Sequence, residues 1–266
     1  MTGTPSGFAD LDKSTAGFQK SDLIIVACRP SMGKTSFALG VTRHAAVHAK
    51  LPVVFFSLEM SGEQLAMRLL AAAAGISSHK LQRGDLTQEE FQTLVEESSR
   101  MASMPLHIDD TPALTIGALR SRARRLKRVH NLSMLVIDYL QLVRPSSSGS
   151  QSNRVQEVSE ITQGLKAIAK ELGIPVIALS QLSRAVEARK PPVPMLADLR
   201  GSGAIEQDAD VVMFIYREEV YEPNTERKGI AEILVSKHRN GPIGKRDLFF
   251  HDRFAKFENL ETRETV

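Results

Sequence analysis

Short apolar runs rich in β-branched residues alternate along this chain with longer segments of helical periodicity, a pattern that leaves few possible folds. Such alternation requires crossover connections, so it predicts an α/β fold with a mostly parallel, twisted sheet and helices on both faces. The predicted strands span residues 23–27, 53–57, 106–108, 135–137, 176–179, 211–216 and 230–235. The predicted helices span residues 34–50, 61–74, 87–104, 115–130 and 155–172. With 266 residues the chain is long enough for one large core, so we expect a single domain over residues 1–266.

The last part of the chain follows a different pattern. Two β-like runs, residues 246–250 and 254–257, are separated by a predicted tight turn at residues 251–253, which indicates a C-terminal β-hairpin. Residues 145–153, 183–203 and 222–229 are rich in Gly, Ser, Pro or charged residues, and they are predicted to be mobile loops. Long loops in a domain of this kind are usually functional or disordered.

The first predicted strand leads into a loop that ends Gly33-Lys34-Thr35, and a helical pattern follows at once. In this context backbone N–H groups at a helix start face a phosphate, the lysine reaches the outer phosphates and the threonine hydroxyl ligates Mg²⁺. Cys28 stands where the general pattern has glycine. The residues predicted to bind ATP are Arg29, Pro30, Ser31, Met32, Gly33, Lys34, Thr35 and Ser36.

Two carboxylates follow predicted strands at the edge where such sheets bind ligands. Asp138 comes directly after the strand at residues 135–137 and is predicted to hold, through water, the metal that Thr35 ligates. An aspartate there could also be a simple strand terminus. Glu59 follows the strand at residues 53–57 and could activate the attacking water, or it could be an acidic residue at the N-terminus of the next helix.

The charge balance and the apolar runs exclude some classes of protein. With 34 basic and 31 acidic residues the excess of positive charge is slight, so any nucleic-acid surface must be local. Six basic residues between Arg120 and Arg128 form either a solvated, partner-facing helix surface, which we favour, or a second DNA patch. One cysteine, no apolar run of membrane-spanning length and no signal peptide lead us to expect a cytoplasmic protein with no membrane partner.

Seven ordered motifs together resemble one family, the C-terminal motor domain of the DnaB-type replicative DNA helicases, over nearly the whole chain. They are Gly7-Phe8-Ala9-Asp10-Leu11-Asp12, Ala27 with residues 29–35, Ser57-Leu58-Glu59-Met60, Ile137-Asp138-Tyr139-Leu140-Gln141-Leu142, Ser180-Gln181-Leu182-Ser183-Arg184, Ile205-Glu206-Gln207-Asp208-Ala209-Asp210 and Lys237-His238-Arg239-Asn240-Gly241-Pro242. The resemblance implies a RecA-like P-loop NTPase fold and a ring of six copies. It also implies ATP with Mg²⁺ between adjacent subunits and single-stranded DNA in the central channel.

The same resemblance assigns catalytic roles. Glu59 becomes the expected catalytic base, and Gln181 the residue that senses the γ-phosphate. Arg239 is expected to be an arginine finger given to the neighbouring subunit, with Lys237 beside it, because phosphoryl transfer spreads negative charge that a guanidinium stabilises. From composition alone, Lys237 and Arg239 could equally be a solvated strand end.

DNA contacts are implied for the segment at residues 198–203, through Arg200 and Gly203. Gly201 departs from the family, which usually has glutamate there, so no contact is carried over for that side chain. The family also implies a primase and a helicase loader as partners. Its N-terminal helical domain and linker helix do not precede residue 1 in this sequence, so we expect weaker ring assembly.

Two other functions remain open at this point. A RecA-like ATPase with another task, such as a recombinase or a regulatory ring ATPase, would share the phosphate-binding loop, Asp138 and Glu59. A non-hydrolysing module would bind nucleotide only to organise a ring or to recruit a partner. The motifs around Gln181 and Arg239 favour the ATP-hydrolysing helicase.

Overall fold

The computed structural model of the chain describes residues 2–146, 154–199 and 202–260. Within these residues nine strands form one sheet. The strands are β1 Leu23–Cys28, β2 Val53–Ser57, β3 Leu106–Asp109, β4 Met134–Asp138, β5 Val176–Gln181, β6 Val211–Tyr216, β7 Ile230–His238, β8 Gly244–His251 and β9 Lys256–Asn259.

The strand order is β3-β2-β4-β5-β1-β6-β7-β8-β9. From β3 to β6 every neighbouring pair is parallel, and from β6 to β9 every pair is antiparallel. The predicted mostly parallel sheet is therefore confirmed. The antiparallel part is larger than the predicted hairpin, because β7 also reverses direction against β6.

The C-terminal hairpin is present, but its turn lies later in the chain than predicted. A 3₁₀ turn spans Asp252–Phe254, and Ala255 has a left-handed φ of 48° before β9 begins. Phe254 was predicted to start the last strand, and it instead belongs to the turn.

Helices cover both faces of the sheet, as predicted. Side chains of β1 alternate between two cores: Ile24 and Val26 pack on the face that holds α2 and α3, and Leu23 and Ile25 on the face that holds α6 and α7. All six residues of β1 are buried. The helices are α1 Ala9–Thr15, α2 Lys34–Arg43, α3 Gly62–Ala74, α4 Ser78–Arg83, α5 Gln88–Ala102, α6 Ile116–His130, α7 Arg154–Leu172 and α8 Ser202–Asp208.

Local capping explains where several helices start. Ser61 and Gln64 form a capping box at the start of α3, and Thr87 and Glu90 form another at the start of α5. The helix predicted for residues 34–50 is shorter, because α2 passes into a π-helical turn at His44–His48 and Lys50 has a φ of 54°.

The stretch predicted as a mobile loop at residues 183–203 contains two 3₁₀ turns, Arg184–Ala188 and Leu196–Asp198. Arg189 joins them, because its Nη1 donates to Oδ1 of Asp198 over 2.8 Å. This bond also holds the pKa of the Asp198 carboxyl below its usual range. Of the loop predicted at residues 145–153, residues 147–153 lie outside the described part of the chain.

The basic run on α6 is largely engaged within the chain. Arg120 and Arg124 both pair with Glu171 on α7, and Arg122 pairs with Asp109. These contacts agree better with a structural helix surface than with a second DNA patch. In the described ranges no helix is both long and apolar enough to cross a membrane.

Candidate functional site

The loop between β1 and α2 is shaped to bind an anion. Ser31 and Gly33 both have left-handed φ angles, 67° and 94°, and they turn the chain into the first residues of α2. A Cβ at Gly33 would lie 2.9 Å from the ring of Phe257, so the position also lacks room for a side chain. Gly33 caps α2 without a side-chain bond, which leaves the first N–H groups of the helix available to a ligand.

Asp138 lies at the end of β4 and meets the first turn of α2. Its side chain is fully buried. Oγ1 of Thr35 donates to Oδ2 of Asp138 over 2.6 Å, and Nζ of Lys34 is 3.3 Å from Oδ1. Oδ1 has no hydrogen-bond partner among the described residues. A buried carboxylate oxygen and a hydroxyl side by side match the oxygen ligands that Mg²⁺ prefers, so these residues fit that ion.

Glu59 lies on the same edge of the sheet, two residues after β2. The register pairs Ser57 with Asp138, and this brings the Glu59 carboxylate to 3.9 Å from Nζ of Lys34. Its side chain is 52% exposed, so water and a ligand can reach it. The acidic residue in the first turn of α3 is Glu63. This arrangement favours the interpretation of Glu59 as a site residue over that of a helix-terminal charge.

Gln181 ends β5, between β1 and β4, at the level of Cys28. The side chain of Gln141 holds this strand end in place. Its Nε2 donates to Oγ of Ser180 over 2.8 Å and to the carbonyl of Gln181 over 3.2 Å, and its Oε1 accepts from the backbone N–H of Gln181. Gln141 belongs to a motif seen in the sequence, but no role was predicted for it.

Two residues beside the loop, Arg29 and Cys28, are engaged within the chain itself. The guanidinium of Arg29 donates to Glu187 and to the carbonyl of Leu182, so its side chain is committed to the turn after β5. Cys28 is buried beneath the loop, and burial raises the pKa of its thiol to about 12. A neutral, inert thiol there fits a packing role.

Arg217 is a residue of this edge that the sequence analysis missed. It follows β6 directly, is 5% exposed and donates from Nη1 to the carbonyl of Ser31 over 3.2 Å. Its guanidinium also pairs with Glu219 and stacks over the ring of Phe250 at 3.9 Å. An arginine directly after an apolar strand parallel to β1 was the signal that could have indicated it.

Lys237 and Arg239 lie at the opposite edge of the sheet. His238 pairs with Val211, the first residue of β6, which is level with Ile24 near the start of β1. Roughly 13 Å of strand, at about 3.3 Å per residue, therefore separates this level from the end of β1. The chain does not bring these two residues to its own phosphate-binding loop.

The two basic side chains are held by the end of α8. Nζ of Lys237 donates to the carbonyls of Glu206 and Ala209, and Nη2 of Arg239 donates to that of Gln207. Burial, together with the neighbouring Arg239, lowers the pKa of Lys237. The predicted DNA residue Arg200 lies outside the described residues. Gly203 lies in the first turn of α8, with open space where a Cβ would be.

Comparison with known proteins places these features in one family. The family model described as the DnaB-like helicase C-terminal domain matches residues 3–259. A replicative DNA helicase DnaB of Rickettsia conorii is 53% identical over 290 aligned positions, and a replicative DNA helicase DnaC of Bacillus subtilis is 50% identical over 263. Each alignment covers 99% of this chain but only 58% of the relative.

Two solved structures superpose closely on the fold. One is described as a DnaB-like replicative helicase and its interactions with primase, and the other as the ATPase domain of G40P. Both have a TM-score of 0.93 and 38% identity to this chain, and both cover 98% of it. This chain corresponds to 62% of the first structure and 92% of the second.

Proposed function

The chain belongs to the family of DnaB-like helicase C-terminal domains. We therefore propose that it is the ATP-hydrolysing motor of a replicative DNA helicase. The observation that carries the proposal is the convergence of Lys34, Thr35, Asp138 and Glu59 at one edge of the sheet. That set supplies a cation for phosphates, oxygen ligands for a metal and a carboxylate for water.

The nucleotide would sit on the N-terminus of α2, with its phosphates against the backbone N–H groups of residues 29–36, except Pro30, which has none. Lys34 is placed to bind the outer phosphates, and its short distances to Asp138 and Glu59 keep its ammonium at the reacting end of the site. When bound, Mg²⁺ would be held by Thr35 and Asp138 and would neutralise phosphate charge. Glu59 would accept a proton from water as the water oxygen bonds to the γ-phosphorus and the bond to the bridging oxygen of ADP breaks.

We propose that a second copy completes this site. Lys237 and Arg239 lie at the far edge of their own sheet, so they can reach a phosphate site only on a neighbouring molecule. In a head-to-tail ring each subunit would give its Arg239 to the next site, and a homo-hexamer is the assembly that the family implies. Gln181, held by Gln141 between β1 and β4, would sense the γ-phosphate.

Single-stranded DNA is the proposed polymer substrate, with Arg200 and Gly203 in the segment that contacts its backbone. One of the solved relatives is described with its interactions with primase, and we extend this to primase and a helicase loader as proposed partners. A motor of this kind acts where the chromosome is replicated, so we place it in the cytoplasm. We treat residues 1–266 as one motor domain.

Two alternatives lead to different measurements. A recombinase-like ATPase would exchange DNA strands without unwinding them. A non-hydrolysing module would bind nucleotide and assemble without turnover. The half-exposed Glu59 carboxylate beside Lys34 favours ATP hydrolysis over a module that only binds nucleotide.

The test is ATP turnover, with and without single-stranded DNA, for the parent chain and for Glu59→Gln. We expect turnover that DNA stimulates, and a fall in kcat of about 10²- to 10⁴-fold in Glu59→Gln with nucleotide affinity retained. Glu63→Gln, which removes an exposed carboxylate from the first turn of α3, is the matched control and should keep parental turnover. A parent that binds ATP and assembles but never turns over would overturn the proposal in favour of the module.

A further inference from the structure

Asp210 is a buried carboxylate at the edge of the sheet that carries Arg239. It is 4% exposed and lies between α8 and β6. Its Oδ2 accepts from the backbone N–H of Leu23 over 2.8 Å and from Nζ of Lys166. Nζ of Lys166 also donates to the carbonyl of Ser21 over 2.8 Å. The Asp210 carboxylate is therefore fixed at the start of β1, the central strand.

The other oxygen of this carboxylate faces the guanidinium of Arg239. Oδ1 of Asp210 lies 3.5 Å from Nε of Arg239, and the backbone N–H of Arg239 donates to the carbonyl of Asp210 over 2.8 Å. Nη2 of Arg239 donates to the carbonyl of Gln207 over 3.0 Å. Both the main chain and the side chain of Arg239 are thus anchored.

The rest of the Arg239 side chain remains accessible, since 51% of it is exposed. Within the described residues, the contacts of the Arg239 guanidinium involve Nε and Nη2, which leaves Nη1 for a phosphate of another molecule. A freely rotating arginine would lose rotamer entropy each time it reached a phosphate, whereas an anchored one has already lost part of it.

We propose that Asp210 is the positioning residue that orients Arg239 toward the ATP site of the neighbouring copy. This inference rests on the proposed trans role of Arg239. Asp210 does not touch the nucleotide of either copy, and it acts only through the guanidinium. Because the finger stabilises charge that develops in the transition state, loss of its orientation should lower kcat and leave KM for ATP nearly unchanged.

The role of Asp210 is tested in mixed assemblies of two variants, in which one chain gives Arg239 and the other chain hydrolyses ATP. A donor chain carries Glu59→Gln, which removes its own hydrolysis and keeps its finger, and an acceptor chain carries Arg239→Ala, which keeps its own site and removes its finger. Turnover in the mixture reports the donor's finger in the acceptor's site. Asp210→Asn is then added to the donor or, separately, to the acceptor.

With Asp210→Asn in the donor we expect kcat to fall about three- to tenfold, with KM for ATP within twofold. In the acceptor, which has no finger to orient, the substitution should leave turnover unchanged. The matched control is Asp208→Asn in the donor, because the Asp208 carboxylate accepts from Oγ1 of Thr162 over 2.7 Å and its loss removes the same charge nearby. That donor should stay within twofold of the original mixture.

Three outcomes would each overturn the role of Asp210. They are an equal fall in kcat with Asp210→Asn in the donor and in the acceptor, no fall with Asp210→Asn in the donor, and an equal fall with Asp208→Asn in the donor. If Asp210→Asn leaves Lys166 unpaired and prevents folding, the donor with Lys166→Met and Asp210→Asn removes both charges of this pair and should show the same deficit. A mixture of the two starting chains that never recovers turnover would instead refute the trans finger, and this inference with it.

Discussion

At the scale of single residues, the buried carboxylate of Asp138 links the stability of the fold to the proposed binding of Mg²⁺ and nucleotide. It is fully buried, and its Oδ1 has no hydrogen-bond partner among the described residues. A buried charge without full compensation lowers the stability of the fold, and the Mg²⁺ that we propose to bind there would compensate it.

Asp138→Asn should therefore leave the melting temperature of the nucleotide-free chain unchanged or raise it. The same variant should lose most of the stabilisation that Mg²⁺ and a nucleotide give the parent, and ATP hydrolysis should fall at least about 100-fold. Thermal unfolding with and without Mg-nucleotide measures both effects. An undiminished ligand-induced shift in the variant would show that Asp138 does not hold the metal.

Cys28 makes the stability of the fold depend on alkaline pH. Burial raises the pKa of its thiol from 9.0 to about 12, so between these values the unfolded chain releases a proton that the folded chain keeps. The unfolded state then binds fewer protons than the folded state. The contribution of this thiol to the free energy of unfolding therefore falls as pH rises, by about 1.4 kcal/mol per pH unit.

The comparison is denaturant unfolding of the parent and of Cys28→Ala between pH 8 and pH 11. The stability difference between the two chains should be constant near pH 8 and should shrink or reverse above pH 9, because only the parent has a thiol that titrates there. Parallel pH profiles up to pH 11 would contradict the buried, neutral thiol.

Residues at the site differ in how far the sequence could predict them. Four site residues lie at or after the carboxyl ends of parallel strands: Lys34 and Thr35 after β1, Glu59 after β2 and Asp138 at the end of β4. Because these ends meet at one edge of the sheet, their proximity could be foreseen. Arg217 contacts the carbonyl of Ser31 in the loop after β1, and Gln141 contacts that of Gln181 at the end of β5. Such contacts depend on strand order, which hydrophobic periodicity alone does not specify.

At the scale of elements, the packing of α6 against α7 depends on Gly164. A Cβ built there would overlap Cγ1 of Ile116, the first residue of α6, which is 6% exposed. A side chain at this position would force the two helices apart or move Ile116 from its rotamer.

Gly164→Ala should destabilise the chain by about 1–2 kcal/mol, because overpacking outweighs the gain in helix propensity. Adding Ile116→Ala removes the overlapping atoms, so the double variant should be more stable than the sum of the two single effects by about 1 kcal/mol. Gly117→Ala on α6 is the control, since its Cβ would meet only Oγ of Ser146 at an ordinary 3.5 Å. Denaturant unfolding of the four variants measures the coupling, and strict additivity would contradict it.

The elements that the sequence predicted well are those with strong local signals. Capping boxes set the starts of α3 and α5, and continuous apolar runs set β2 and β6. α8 was missed because it is only seven residues long, begins with Ser202 and Gly203, and is supported by Lys237 and Arg239 from β7 and the residue after it. The last turn was misplaced because Phe254 is apolar but lies in the turn rather than in β9.

At the scale of the whole molecule, the sheet separates the two groups of residues that we propose to act in catalysis. The phosphate-binding loop, Asp138, Glu59 and Gln181 lie at one edge, and Lys237 and Arg239 at the other. The family and the RecA-like fold expected from the ordered motifs are confirmed by the family match and by the two solved structures. The antiparallel reversal at β7 is what carries Arg239 back to the far edge, and no local sequence signal specified that reversal.

The most direct test of a site completed by a second copy is ATP turnover measured against protein concentration, together with mass in solution. The parent chain and Arg239→Ala are compared with and without single-stranded DNA. We predict turnover per chain that rises cooperatively with concentration, follows the appearance of a ring-sized species and collapses in Arg239→Ala while that species still forms. Turnover by a monomer, indifferent to DNA and to Arg239, would contradict the account and leave an ATPase that needs no neighbour.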